Sequence, residues 1–495
     1  MVLGITPSTN FVYSLRLRNS AIFFYITLEK MSIQRYNEMR MKKRKRGRMM
    51  AKNMTEGKPL KLILAFMFPV LCGNLFQNFY NIVDSMIVGR FLGVDALAAV
   101  GSTTSLNFLV VGWITGMTSG FGILISQAYG AKDEKRLKHY VAMSTYLCIA
   151  LAVVMTVGLL LANGWILTTM NTPEKIYADT WEYIAIIYAG LPATILYNML
   201  AAIARSLGDS KTPLVFLVLS SVLNIGLDLL LVAVIPLGVA GAAYATVASQ
   251  AVSGILCFIY VSKKYEIVRF GKQERKISLK SIRHLLSMGV PMGLQFSITA
   301  IGTMIVQSSL NLLGSMYIAS YSATSKIQNI VMQVYMALGA ALATYAGQNY
   351  GAGKIGRIKK GLNVSIGVTA VYSVVIMVVA YFWLPSLVKV FVADPTGELR
   401  AIAEKMFHIS LWFYFPLGLI FLYRNTLQGI GNGLVPMLGG VFELLARALT
   451  VILLFEPLRF TGICICDPAA WVSALIPLIP YYYWYIRKLT VGEEK

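Results

Sequence analysis

The chain has 495 residues, of which 57% are hydrophobic and 13% charged, and a mean hydropathy of +0.66. A soluble enzyme of this length buries short apolar segments under a polar surface, whereas this sequence repeats apolar stretches of about 20 residues or more, the length that crosses a bilayer as helix. The net charge of +22 invites a nucleic-acid reading, but Lys and Arg gather in one tail and in alternate loops, the pattern by which membrane proteins fix their orientation, so nucleic acid is not an expected partner.

Residues 1–53 stand apart, since the apolar stretch "FVYSLRLRNSAIFFYITLEK" is broken by arginines and runs into the basic "KKRKRGR" of Lys42–Arg48. It is neither a signal peptide nor a spanning helix, and the expectation is a basic tail that is disordered or stems from an upstream start site. From Met54 onward, twelve apolar segments follow, near 60–89, 96–128, 136–161, 178–205, 213–235, 239–262, 284–312, 317–349, 359–383, 399–428, 434–455 and 468–487. The expected fold class is an all-α polytopic membrane protein with twelve transmembrane helices. Cys72, Cys148 and Cys257 lie within apolar segments and read as packing residues, while Cys464 and Cys466 fall in a loop before the last segment. No cysteine or histidine spacing suits a metal site or cofactor, and none is expected.

With the first segment starting inside, the loops on that side carry Lys132, Lys135, Arg136 and Lys138, then Lys211, then the dense run of 262–284, then Lys354, Arg357, Lys359 and Lys360. The opposite loops carry scattered single charges, so both termini are expected to be cytoplasmic. The sequence also repeats itself. "PVLCGNLFQNFY" at Pro69 answers "PMGLQFSITAIG" at Pro291, "QAYGA" at Gln127 answers "QNYGA" at Gln348, and "LGDSKTP" ending at Pro213 answers "IGNGLVP" ending at Pro436. The organisation is then a six-helix lobe over 54–262, a basic cytoplasmic linker over 263–283, a second six-helix lobe over 284–487 and a cytoplasmic tail over 488–495. Six is even, so the lobes enter from the same side and are parallel repeats, an arrangement typical of transporters with a cavity between the halves.

Asp84 in "FYNIVDSMIVG" is a carboxylate inside an apolar helix, where it costs about 2.5–3.5 kcal/mol and usually faces a wet cavity or a partner. Gln77, Asn81 and Asp84 follow at intervals of four and three, which puts them on one stripe. Asp228 in "LNIGLDLLL" has Asn224 one turn before it, and Asn198 and Thr246 lie in neighbouring segments. All five are in the first half, and the repeat places Val306 opposite Asp84 and Val451 opposite Asp228. Two carboxylates with amide and hydroxyl oxygens suit Na⁺ as hard ligands. They equally suit a proton, because two adjacent carboxyls do not both ionise cheaply. The competing reading is a set of hydrogen bonds that only holds helices together. In the second half, Glu443 and Arg447 stand one turn apart and are expected to neutralise each other, with contact to a substrate as the other role for both; Gln77 and Asn81 join them as candidate cavity residues.

From Met54 onward, "YNIVDSMIVGRFLG", "SQAYGA", "ARSLGDSKTP", "LNIGLD" and "GQNYGAG" together resemble the bacterial members of the multidrug and toxic compound extrusion family, the MATE antiporters. The resemblance implies two six-helix lobes that alternate between inward-open and outward-open states in a bacterial inner membrane. It further implies export of lipophilic compounds, cationic ones among them, against Na⁺ or H⁺. In the branch whose cation site lies in the first lobe, the matching positions are Asp84, Asn198, Asn224, Asp228 and Thr246. A monomer is the expected state, with membrane lipid around it.

A flippase for lipid-linked oligosaccharides is the alternative; it would line its cavity with arginines and often carry extra helices. A membrane transferase would gather His, Asp or Glu at an interface, yet His139, His284 and His408 fall in no such pattern, and an enzyme is not expected. No GxxxxGK[ST] loop occurs, so ATP is not expected to drive the process.

Overall fold

The computed structural model describes residues 53–391 and 397–493, without the side chains of 384–391 and 492–493. The tail expected over 1–53 lies outside the described residues except for Asn53, as do the last two residues of the chain. Among the described residues every regular element is helical. The first half comprises α1 (Pro59–Leu92), α2 (Val94–Ser102), α3 (Thr104–Gly130), α4 (Glu134–Thr169), α5 (Glu174–Ala189), α6 (Leu191–Ser206), α7 (Lys211–Asp228) with a π-helical turn over Leu229–Val234, and α8 (Gly238–Lys264). The second half comprises α9 (Leu279–Asn311), α10 (Ser315–Gly351), α11 (Ile355–Phe391), α12 (Gly397–Leu411), α13 (Tyr414–Gly429), α14 (Leu434–Leu458) and α15 (Phe460–Glu493).

Ten stretches, α2 with α3 counted as one, are each long and apolar enough to cross a membrane. The pairs α5–α6 and α12–α13, bent by 46° and 50°, bring the spans to the expected twelve. Pro192 and Pro416 stand in the first turns of α6 and α13, just past the bends, where a missing N–H breaks no helical bond. Pro69 and Pro291 instead lie inside the unbroken helices α1 and α9. One expectation is overturned: Cys464 and Cys466 are not in a loop but buried in α15. The reversal between α14 and α15 needs only Arg459, which takes φ 48°, so Thr461 and Gly462 are already helical.

The halves interlock. Ile63 and Phe66, at the start of α1, are buried with Tyr335, Leu338 and Leu342 of α10 in the core of the second half. Their repeat counterparts Leu285 and Met288, at the start of α9, are buried with Phe121 and Leu124 of α3 in the core of the first. Small residues let these crossing helices meet at backbone distance: a Cβ on Gly116 would sit 2.4 Å from the Met292 carbonyl, and one on Gly120 would sit 2.6 Å from Gly289 Cα.

At the end of the bundle that carries the basic loops, a matched pair of hydrogen bonds joins the halves. Gln127 Nε2 donates to the Gly429 carbonyl at 2.9 Å, and Gln348 Nε2 donates to the Ser206 carbonyl at 2.9 Å. Gly429 and Ser206 are the last residues of α13 and α6, where helix carbonyls have no intrahelical donor. A Cβ on Gly130 would lie 1.9 Å from the Gln348 carbonyl, and a Cβ on Gly351 the same 1.9 Å from the Gln127 carbonyl. The repeated "QAYGA" and "QNYGA" strings are therefore one reciprocal clasp. Gln348 Oε1 also accepts from the Met54 amide at 2.9 Å, tying down the approach to α1.

On the same end Asp209, in the loop between α6 and α7, accepts from the Lys211 and Thr212 amides at 3.0 Å each, from Lys264 Nζ at 2.8 Å, and from the Tyr265 hydroxyl. Burial opposes its charge, but the hydrogen bonds from Lys264, Thr212 and Tyr265 outweigh that and push its carboxyl down to about 2. The repeat counterpart, Asn432, instead bonds the Val435 amide and Tyr481.

Gly351→Ala forces the ends of α3 and α10 apart, at an overpacking cost of about 1–3 kcal/mol. The expected outcome is a longer distance between spin labels placed at Lys132 and Lys354, read by pulsed electron resonance. An unchanged distance would show that the clasp tolerates a side chain. Asp209→Asn is expected to cost roughly 2 kcal/mol of thermal stability at pH 7. Because the folded carboxyl titrates below the unfolded one, that contribution is complete above about pH 4 and lost as pH falls towards 2, so the variant and the parent converge in acid.

Candidate cation site and the cavity between the halves

Three helices bring most of the expected residues together. Asp84 sits past the middle of α1, Asn224 and Asp228 on one face of α7, and Thr246 near the middle of α8. Asp228 is the last α-helical residue before the π-helical turn. Such a turn is a frequent mark of functional helices because it re-aims one side chain. Asp228 is 0% exposed and Asn224 1% exposed, while Asp84 is half-buried.

The two carboxyls are close enough to feel each other electrostatically, with no hydrogen bond joining them. Asn224 Nδ2 donates to Thr246 Oγ1 at 3.3 Å, and the Tyr80 and Tyr183 hydroxyls lie within electrostatic range of the two acids. Asp84 Oδ1, both carboxyl oxygens of Asp228 and Asn224 Oδ1 are buried without a hydrogen-bond partner among the described residues. Four acceptor oxygens on these three side chains thus lack a donor. Two adjacent carboxylates do not both ionise cheaply, so a cluster of this kind suits a cation or a proton.

Asn198 lies apart from this cluster. Its Nδ2 donates to the Thr194 carbonyl at 2.9 Å and its Oδ1 accepts from Thr115 at 3.4 Å. With Gln77 and Tyr80 it lines a cavity of about 220 Å³ inside the first half. Tyr80 is common to that cavity and to the acid cluster. Asn81 is exposed on α1, on the side where Ile82 and Met86 face outward.

The second half resolves its charges internally. Arg424 of α13 donates to Glu443, Glu443 faces Arg447 at 3.6 Å, and Arg447 Nε donates to Asp467 at 3.0 Å. The expected Glu443–Arg447 pair is thus the longest link of a four-membered neutral chain. Breaking such a buried chain by removing one member typically costs about 3–5 kcal/mol. Asp467 escapes a reading by apolar runs because it falls at the edge of the last run, although α15 already covers it. Arg424 was visible as a lone charge in "FLYRNTL". At the repeat positions of the two acids, Val306 is buried with Phe455 and Phe460, and Val451 packs against them.

A second cavity, of about 200 Å³, lies between the halves. Gly116 and Ser126 border it from α3, Arg205 from α6, Gln295 from α9, and Arg424 and Gln428 from α13. Glu443 and Arg447, expected as cavity residues, are not among its walls; Arg424, to which Glu443 is bonded, takes that place. With its amide turned to present oxygen, Gln295 accepts from Arg424 at 3.0 and 3.3 Å.

Comparison with known proteins bears on the whole bundle. The MatE family model matches twice, over residues 69–230 and 291–453, which are the two repeats. The chain is 31% identical over 433 residues to the probable multidrug resistance protein YoeA of Bacillus subtilis, covering 86% of this chain and 93% of that one. It is 25% identical over 378 residues to the multidrug export protein MepA of Staphylococcus haemolyticus, covering 76% and 83%. A solved outward-facing multidrug resistance MATE family transporter superposes with a TM-score of 0.83 at 21% identity, over 89% of this chain and 99% of that one. With both repeats matched and a relative above 30% identity along nearly its full length, this multi-pass membrane protein belongs to the MatE family of multidrug efflux transporters.

Proposed function

We propose that the chain is a secondary active exporter that exchanges Na⁺ or H⁺ for small organic compounds by alternating access. The observation that carries this reading is the set of four partnerless acceptor oxygens on Asp84, Asn224 and Asp228, confined to one half of a duplicated bundle. A structural cross-link would have donors facing those acceptors, as the second half has in Arg424 and Arg447. The oxygens suit either coupling ion: Na⁺ takes carboxylate, amide and hydroxyl oxygens, and a proton is shared between two adjacent carboxyls. The relatives' names, a multidrug resistance protein and a multidrug export protein, support small organic substrates.

The route from ion to substrate runs through α1. Its start is buried in the core of the second half and its later part carries Asp84. Empty, the two acids repel; a cation or proton entering between them removes that repulsion and draws α1 towards α7. A shift of α1 therefore strains packing in both halves at once. Substrate and cation must favour different arrangements of the bundle, since a ligand moves an equilibrium only by its differential affinity. The positive-inside rule assigns the basic end to the cytoplasm of a bacterial plasma membrane, with both termini there. On that assignment the Gln127–Gln348 clasp closes the cytoplasmic side. A single chain supplies both halves, so a monomer suffices. The arginines beside the central cavity favour one other reading, a flippase for lipid-linked oligosaccharides; the twelve-span count weighs against it.

Asp84→Asn is expected to insert and fold at parental levels while gradient-driven dye efflux from everted vesicles falls to that of vesicles lacking the protein. Parental efflux in this variant would overturn the reading. Imposing a Na⁺ gradient and a pH gradient separately on the parent identifies the coupling ion.

A further inference from the structure

We propose that the cavity between the halves is an anion-recognising site, in which Arg205 receives a carboxylate or phosphate group of the transported compound. The proposal deepens the exporter reading by naming a substrate class, and it rests on that reading only for the word "transported". No Asp or Glu lines the cavity. Two arginines do, and they differ in kind. Arg424 is committed, with Glu443 on one side and Gln295 on the other. Arg205 has no hydrogen-bond or ion-pair partner among the described residues.

Arg205 stands in the last turn of α6, where helix carbonyl ends favour a cation, which explains why it is tolerated there. That field supplies no acceptor for its five N–H donors. The two buried arginines of the described chain, Arg424 and Arg447, both have a carboxylate partner, whereas the half-buried Arg205 has none. The rest of the wall adds hydroxyl and amide groups, from Ser126, Thr344, Asn425 and Gln428, neutral donors weaker than the guanidinium; Ser126, Asn425 and Gln428 already donate within the protein. Since the Arg424–Glu443–Arg447–Asp467 chain is neutral, the charge left uncompensated at the cavity is the single positive one of Arg205. A lipophilic cation would enter against that charge, and a carboxylate or phosphate would enter towards it. The cavity's 200 Å³ is about seven waters' share of liquid volume, room for an anionic head and part of its attached group.

Arg205 also borders the first-half cavity that holds Gln77, Tyr80 and Asn198. An anion bound from one side therefore alters the charge seen from the other, the side on which Tyr80 meets the acid cluster.

The test is equilibrium binding to the purified full chain in neutral detergent, with no ion gradient, using two probes that share a fluorophore: dansyl-glycine, which ends in a carboxylate, and dansyl-cadaverine, which ends in an ammonium. Dansyl-glycine is expected to bind at least about tenfold more tightly, with Arg205→Gln removing that preference and Arg205→Lys keeping part of it. Equal affinities, tighter binding of dansyl-cadaverine, or an Arg205→Gln variant that keeps the preference would overturn the proposal. The comparison of the two probes on the parent chain needs no variant, so a folding defect in Arg205→Gln leaves the test intact. Displacement of dansyl-glycine by phosphatidylglycerol points to a lipid headgroup as the source of the anion; displacement by benzoate and not by the lipid points to a soluble compound. Asp84→Asn is expected to retain the dansyl-glycine preference. Loss of efflux without loss of that preference isolates the coupling step, whereas retained efflux with no preference for the anionic probe removes this proposal and leaves the exporter reading in place.

Discussion

A polar atom inside a bilayer cannot borrow a hydrogen bond from water, and each one must be answered within the protein or by what the protein carries. Nearly every distinctive feature of this chain is a response to that constraint. The second half answers its charges with an internal chain of four ionic side chains. The helix ends at the junction answer their carbonyls with two glutamines. The first half leaves acceptor oxygens of Asp84, Asn224 and Asp228 without a donor, and on the proposed function these are where an outside ion enters.

Much of the fold was legible because hydrophobic run length and loop charge are direct signatures of lipid. All twelve segments correspond to helices or bent helix pairs, with ends displaced by a few residues up to about a turn or two. The bends after Ala189 and Leu411 lie just before Pro192 and Pro416, which stand at matching places in the two repeats. The misassigned loop around Cys464 shows the limit: a reversal that uses one residue leaves no stretch of polar sequence to detect.

The site was legible in part, and the division has a physical cause. Asp84 and Asp228 stand out because a lone acid in hydrocarbon is expensive, and both fall in one cluster with Asn224 and Thr246. Asn198 belongs to a neighbouring cavity, since an amide is cheap enough to serve many ends and its type alone does not locate it. Asp467 was hidden by its place at the edge of an apolar run. The partnership of Arg424 with Glu443 spans two helices, and no spacing rule within one helix reports a contact of that kind. The clasp was visible only as repetition: "QAYGA" and "QNYGA" carry no charge and no costly group, and their purpose depends on bonding partners 302 and 142 residues away.

The clasp has one further implication. Gln127 meets the end of α13 while Gln348 meets the end of α6, so residue i of one half touches residue j of the other and j touches i in return. That is the isologous geometry of a two-fold homodimer, the kind of surface that two identical six-helix chains would form without any linker. Two identical subunits would both carry the acids, whereas one polypeptide holds Asp84 and Asp228 in one half and Val306 and Val451 at the matching places of the other.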